Sequence, residues 1–173
     1  MQSAIQESRI IVVKERKREN MKAIYLDMDG TIADLYNFPD WLPKLKASDT
    51  TPYECAKPLV DLDELASILN RAQEIGITIG VVSWLCKGSS LDYAKRTRAA
   101  KLAWLKKHVA VEFDEVKIVH YGRPKQQVVN SEDAILVDDS QAVCGQWGKH
   151  KTLDAKNPEW MATLAKMIDS MME

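Results

Sequence analysis

The run Ile77-Thr78-Ile79-Gly80-Val81-Val82 is almost wholly apolar and β-branched. A strand of that composition is covered on both faces, which restricts it to a sheet sandwiched between helices, usually a parallel one. The remaining pattern fits such a sheet. Lys22 to Asp27, Glu115 to His120 and Ala134 to Val137 are further short apolar runs, and Lys149 to Leu153 reads as an edge strand. Between them the period changes to that of a helix. Leu62, Leu65, Ala66, Ile68, Leu69 and Ala72 define one helix, with Asp61 or Asp63 as its cap and Gly76 closing it. A second, capped by Ser89 or Ser90, runs to about His108, with Leu91, Ala94, Leu102 and Leu105 among its apolar positions. Pro124 opens a short helix ending near Asn130, Gln141 to Trp147 forms another, and Asn157-Pro158 starts a last one through Met167. Tyr36 to Pro58, with four prolines, is irregular apart from a short helix near Asp40 to Lys46. Strands alternating with helices predict an α/β, three-layer, Rossmann-like parallel sheet with right-handed crossovers.

With 173 residues the chain suits one domain with a substantial core. A net charge of −1 gives no general attraction to nucleic acid or membrane. No apolar run approaches the roughly 18 residues of a membrane helix. Cys55, Cys86 and Cys144 are odd in number and widely spaced, so a reduced, cytoplasmic setting is expected. Residues 1–20 end in the dense run Lys14-Glu15-Arg16-Lys17-Arg18-Glu19-Asn20 and read as a charged, solvated tail preceding a domain over 21–173. Those residue types have purine-rich codons, and the run resembles a translated ribosome-binding site, so Met21 is the expected start.

The chemistry gathers at strand ends, which face the ligand crevice in an open α/β sheet. Asp27 and Asp29 flank Met28 and precede the Gly30-Thr31 turn. Two acids on one face of a strand end repel unless a cation joins them, and Mg²⁺ prefers such oxygens while accepting a phosphate oxygen. A glycine turn can bring backbone N–H groups near an anion. Ser83 ends the second run, Lys125 follows the third, and the adjacent acids Asp138 and Asp139 end the fourth.

Taken in order, these segments resemble the four motifs of the haloacid dehalogenase superfamily of phosphohydrolases. Asp27-Met28-Asp29-Gly30-Thr31-Ile32-Ala33-Asp34 is similar to its first motif, Ser83 to the second, Lys125 to the third and Asp138-Asp139 to the fourth. The resemblance implies that Asp27 is a nucleophile forming an aspartyl-phosphate and that Asp29 is the acid and base. It implies phosphate binding by Ser83 and Lys125, joined by the Gly30-Thr31 turn. It also implies an Mg²⁺ site drawn from Asp27, Asp29, Asp138 and Asp139, with Asp139 favoured as the direct ligand of the last pair and Asp29 contributing through its carbonyl. Dehalogenases of the superfamily lack the second acid of the first motif, so Asp29 points to phosphate ester chemistry.

The insert of about 35–58 is too short for the helical-bundle caps of sugar-phosphate mutases, so a minimal cap and an open site are expected. The arrangement resembles the compact deoxyribonucleotidase branch, which implies a small-molecule phosphomonoester, in the first instance a nucleoside monophosphate. Tyr36, Phe38, Trp41 and Trp84 lie near the motif ends and are candidates for substrate specificity by stacking. The alternatives are a phosphatase on nucleic-acid ends or proteins, one closed by a partner chain, or a non-catalytic phospho-ligand binder. The chain gives no oligomer signal. His108, His120 and His150 form no cluster, and Lys95, Arg96, Arg98, Lys101, Lys106 and Lys107 read as the solvated face of one helix.

Overall fold

The computed structural model describes residues 21–130, 132–148 and 151–173. The expected charged tail lies outside them, as do the first two residues of the expected edge strand. Five strands form one sheet: β1 (Ala23–Leu26), β4 (Thr78–Trp84), β5 (Glu115–Val119), β6 (Ala134–Asp138) and β7 (Thr152–Asp154). They lie in the order β5-β4-β1-β6-β7, every pair parallel. After β1 the chain moves outward to β4 and β5, then crosses back to β6 on the other side of β1. The strand order therefore reverses between β1 and β6, where an open sheet leaves a crevice beyond its carboxyl ends.

Side chains alternate across the sheet as strand geometry requires. On one face Ile24, Leu26, Ile79, Val81, Ile135 and Val137 pack in one core cluster. That cluster also takes in residues of α3 (Leu62–Glu74), the end of α4 (Leu91–His108) and α6 (Trp160–Met172). On the other face Tyr25, Val82 and Leu136 pack with Val143 and Trp147 of α5 (Gln141–Trp147). Asp61 caps α3 by accepting from the N–H groups of Asp63 and Glu64, and Ser90 caps α4 by accepting from Tyr93 N–H. Gly80 has no room for a side chain: a Cβ there would stand 2.5 Å from the Tyr25 ring. The short helix expected after Pro124 is only a 3₁₀ turn, Lys125–Gln127.

The insert between β1 and α3 is more ordered than its prolines suggest. It contains β2 (Ala33–Asp34), α1 (Trp41–Lys46), α2 (Thr51–Cys55) and β3 (Lys57–Pro58), with β2 and β3 paired antiparallel. Pro52 lies in the first turn of α2, where its missing N–H costs nothing. Three side chains of α4 hold the insert by its backbone. Tyr93 Oη donates to Asp49 O at 2.9 Å, Arg96 to Ser48 O at 3.1 Å, and the buried Trp104 Nε1 to Ala56 O at 2.7 Å.

Candidate active site

Parallel register places the acids at one level. Leu26 pairs with Val137, so Asp27 and Asp138 leave their strands side by side, and Asp27 N–H donates to Val137 O at 2.9 Å. After Asp27 the chain turns sharply. The carbonyl of Met28 accepts from the N–H groups of Thr31, Ile32 and Ala33, while Gly30 takes a φ of +80°. That turn, and the close approach of Tyr36 and Asp139 to Gly30, leave space for glycine alone.

Lys125, 2% exposed, reaches into the gap between the strands. Its Nζ lies 2.8 Å from Asp27 Oδ1 and 2.6 Å from Asp138 Oδ2. Asp138 is itself 1% exposed and also accepts from Ser140 N–H at 2.9 Å. Oxygen atoms of Asp27, Asp138 and Asp139 lie within 4.8 Å of one another. Among the described residues this is the group of three or more donor side chains able to hold a metal ion. Three hard carboxylates at that spacing could together hold a hard cation.

The second acid behaves differently. The carboxylate of Asp29 is turned away from this cluster and accepts from Lys101 Nζ at 2.6 Å. Lys101 comes from α4, is 1% exposed, and also donates to Ser83 Oγ at 3.0 Å and Trp84 O at 2.7 Å. Each lysine is covered by an aromatic ring, Lys101 by Tyr53 at 5.0 Å and Lys125 by Trp84 at 5.3 Å from the ring centres.

Burial and crowding act on the titrations. Asp138 is pushed up to about 6 by burial and by the Asp27 charge, against the pull of Lys125. Burial and Asp27 also raise Asp139, with Lys156 opposing from 3.8 Å. Asp29 is raised by burial, and Lys101 is the main opposing charge. For Lys125 burial opposes the charge, but Asp27 and Asp138 outweigh it and the ammonium is held above its ordinary value. Four carboxylates face two buried ammonium groups, leaving a deficit that a divalent cation would offset.

These groups line a cleft of about 660 Å³. Asp27, Asp29, Ser83, Lys125, Asp138 and Asp139 all reach it, together with Tyr36, Trp41 and Trp84. Tyr36 with Trp41, and Trp84 with Tyr121, form two aromatic pairs, each with ring centres 5.1 Å apart. Two sequence expectations are corrected. Phe38 is half-buried and is not part of the cleft wall. Gly30 N–H and Thr31 N–H are both engaged within the turn, with Ala33 O and Met28 O, so that turn presents neither amide to an anion. Thr31 is fully buried and its hydroxyl has no hydrogen-bond partner. Asp29, expected at the metal through its backbone carbonyl, has its side chain on Lys101, which leaves that expectation standing.

Sequence reading missed Lys101, Tyr53 and Tyr121. Lys101, expected on a solvated face, falls seven residues after Ala94 and three before Trp104, on the buried side of α4. A charged residue at an apolar position of the helical period was the signal for it.

No protein-family model matches this chain, and no curated protein matches it. Among solved structures, a candidate HAD-like phosphatase from Mesorhizobium loti superposes with a TM-score of 0.53 at 14% identity, over 87% of each chain. The two share a fold. A D,D-heptose 1,7-bisphosphate phosphatase from Burkholderia thailandensis gives a TM-score of 0.47 at 15% identity, over 88% of this chain and 99% of that one. The α/β fold of this chain, five parallel strands with helices on both faces, is thus similar to that of a HAD-like structure.

Proposed function

We propose that this protein is a phosphomonoester hydrolase of the haloacid dehalogenase type, working with a divalent cation, Mg²⁺ in the first instance. The observation that carries the proposal is the meeting of Asp27, Asp138, Asp139 and Lys125, drawn from three separate parts of the chain, at the reversal point of the sheet. Asp27, Asp138 and Asp139 would hold the cation, which supplies charge neutralisation for the phosphate oxygens. Lys125 holds Asp27 in place and adds positive charge beside it. Ser83 offers its hydroxyl to the phosphate.

Asp27 is the nucleophile: its carboxylate oxygen attacks phosphorus and the ester oxygen departs. Asp29 gives that oxygen a proton, then takes one from the water that cleaves the aspartyl-phosphate. Burial keeps Asp29 protonated to higher pH than an ordinary carboxyl, which suits the first of those roles. The aromatic pairs Tyr36–Trp41 and Trp84–Tyr121 favour a flat leaving group, and a nucleoside monophosphate meets that description.

Hydrolysis of p-nitrophenyl phosphate, followed with Mg²⁺ and with EDTA, tests the reading. Activity that requires the metal, and falls by about 1,000-fold or more in Asp27→Asn, is expected. Activity indifferent to both changes rejects it. A panel of nucleoside and sugar monophosphates then ranks substrates, and nucleotides should lead.

A further inference from the structure

Lys101 has no part in the mechanism above, yet it is among the most enclosed side chains of the molecule. Its ammonium has three hydrogens, and three acceptors surround it: Asp29 Oδ2, Ser83 Oγ and Trp84 O, at 2.6, 3.0 and 2.7 Å. An ion pair buried to this degree is weak evidence of added stability, since apolar residues in place of both partners would often serve as well. The face of α4 that carries it is otherwise set by Ala94, Trp104 and Leu105, which pack into the cores.

The bonding has a direction. An ammonium only donates, so Ser83 Oγ accepts from Lys101 and the hydroxyl hydrogen must point elsewhere. Ser83 lines the cleft, and the cleft is where that hydrogen is needed. On the other side Lys101 pins one oxygen of Asp29 and keeps that carboxylate out of the Asp27–Asp138–Asp139 cluster. The bond to Trp84 O anchors the arrangement to the end of β4.

We propose that Lys101 is a positioning residue for both working side chains of the cleft, turning the Ser83 hydroxyl toward the phosphate and holding Asp29 over the leaving oxygen instead of on the metal. The inference rests on the phosphatase reading and adds to it the device that separates the fourth acid from the other three. It acts through Ser83 and Asp29 and does not itself touch substrate.

Two esters and one inhibitor test it. p-Nitrophenolate leaves without much help from an acid, whereas the alkoxide of glycerol 2-phosphate needs a proton. In Lys101→Met, kcat for glycerol 2-phosphate is expected to fall about 100-fold and kcat for p-nitrophenyl phosphate by less than about tenfold. The inhibition constant of orthophosphate is expected to rise about tenfold in Lys101→Met and in Ser83→Ala, and no further in the double variant. A purely structural lysine would lower the melting temperature while leaving the ratio of the two esters and the orthophosphate constant within about twofold of wild type, and that result overturns the proposal. If Lys101→Met does not fold, Lys101→Arg is measured in its place, because its planar fork keeps the charge without three converging donors. The same pattern supports the proposal there, and wild-type ratios overturn it. A wild-type chain that hydrolyses neither ester refutes the phosphatase reading itself, a different observation from an active enzyme indifferent to Lys101.

Discussion

Lys125 and Lys101 make a natural pair. Both are almost fully enclosed, both bind a carboxylate of the Asp27-Met28-Asp29 segment, and both lie under an aromatic ring. They differ in what surrounds them. Lys125 shares its two acids with a group of three carboxylates that can accept a cation. Lys101 is closed off with one acid, a hydroxyl and a carbonyl. The comparison shows how one fold keeps adjacent acids chemically distinct: one half of the cleft is open to exchange of its positive charge, and the other has that charge built in.

The largest way to break this contrast is to remove each lysine and weigh the metal's response. Stripping the partner from a buried carboxylate costs about 3–5 kcal/mol. Lys125→Met and Lys101→Met should each lose stability on that scale by urea unfolding without metal. Mg²⁺ should restore a large part of the loss in Lys125→Met and little in Lys101→Met. Equal rescue of both would mean that the two halves are not distinct.

A smaller effect comes from pH. The native state holds the Asp138 proton more tightly than the unfolded chain does, with values of about 6 against 3.8. Protonation of that group therefore favours folding, and its contribution to metal-free stability grows as pH falls from above 6 toward 3.8. Asp139 and Asp29 share the sign. The raised value of Lys125 adds nothing to the slope here, because its stabilisation is fully present below 10.5. A cation needs ionised oxygens, so the rise in melting temperature caused by Mg²⁺ should be larger at pH 7.5 than at pH 5. Calorimetry at the two values checks it, and a rise independent of pH would place the metal elsewhere.

The smallest change concerns the turn between the two halves. Gly30→Ala forces an L-residue to a φ of +80° and sets a methyl group 2.5 Å from the Tyr36 ring and 2.8 Å from Asp139 Oδ2. A stability loss of about 1–2 kcal/mol is expected from the backbone alone, with weaker Mg²⁺ binding because Asp139 must move. Titration calorimetry would separate the two effects.

The sheet was legible because its strands are short, apolar and bounded by capping residues, as Asp61 and Ser90 show. The acids and Lys125 were legible because they stand where those strands stop. What was hidden depended on three-dimensional neighbours. Lys101 is eighteen residues beyond Ser83 and meets it only because α4 packs back across the end of β4. The amides of Gly30 and Thr31 are withdrawn by a turn whose acceptors, Ala33 O and Met28 O, no local pattern announces. Phe38 fails as a wall residue although its neighbours Tyr36 and Trp41 succeed, because the direction of a side chain in an irregular segment has no fixed period.

Tyr93, Arg96 and Trp104 fasten the insert at Asp49, Ser48 and Ala56, and they belong to the same helix that delivers Lys101. The insert, which brings Tyr36 and Trp41 to the cleft, and the lysine bonded to Ser83 thus hang on one helix. On the phosphatase reading, a shift of that helix would therefore disturb the entrance to the cleft and the bond to Ser83 together.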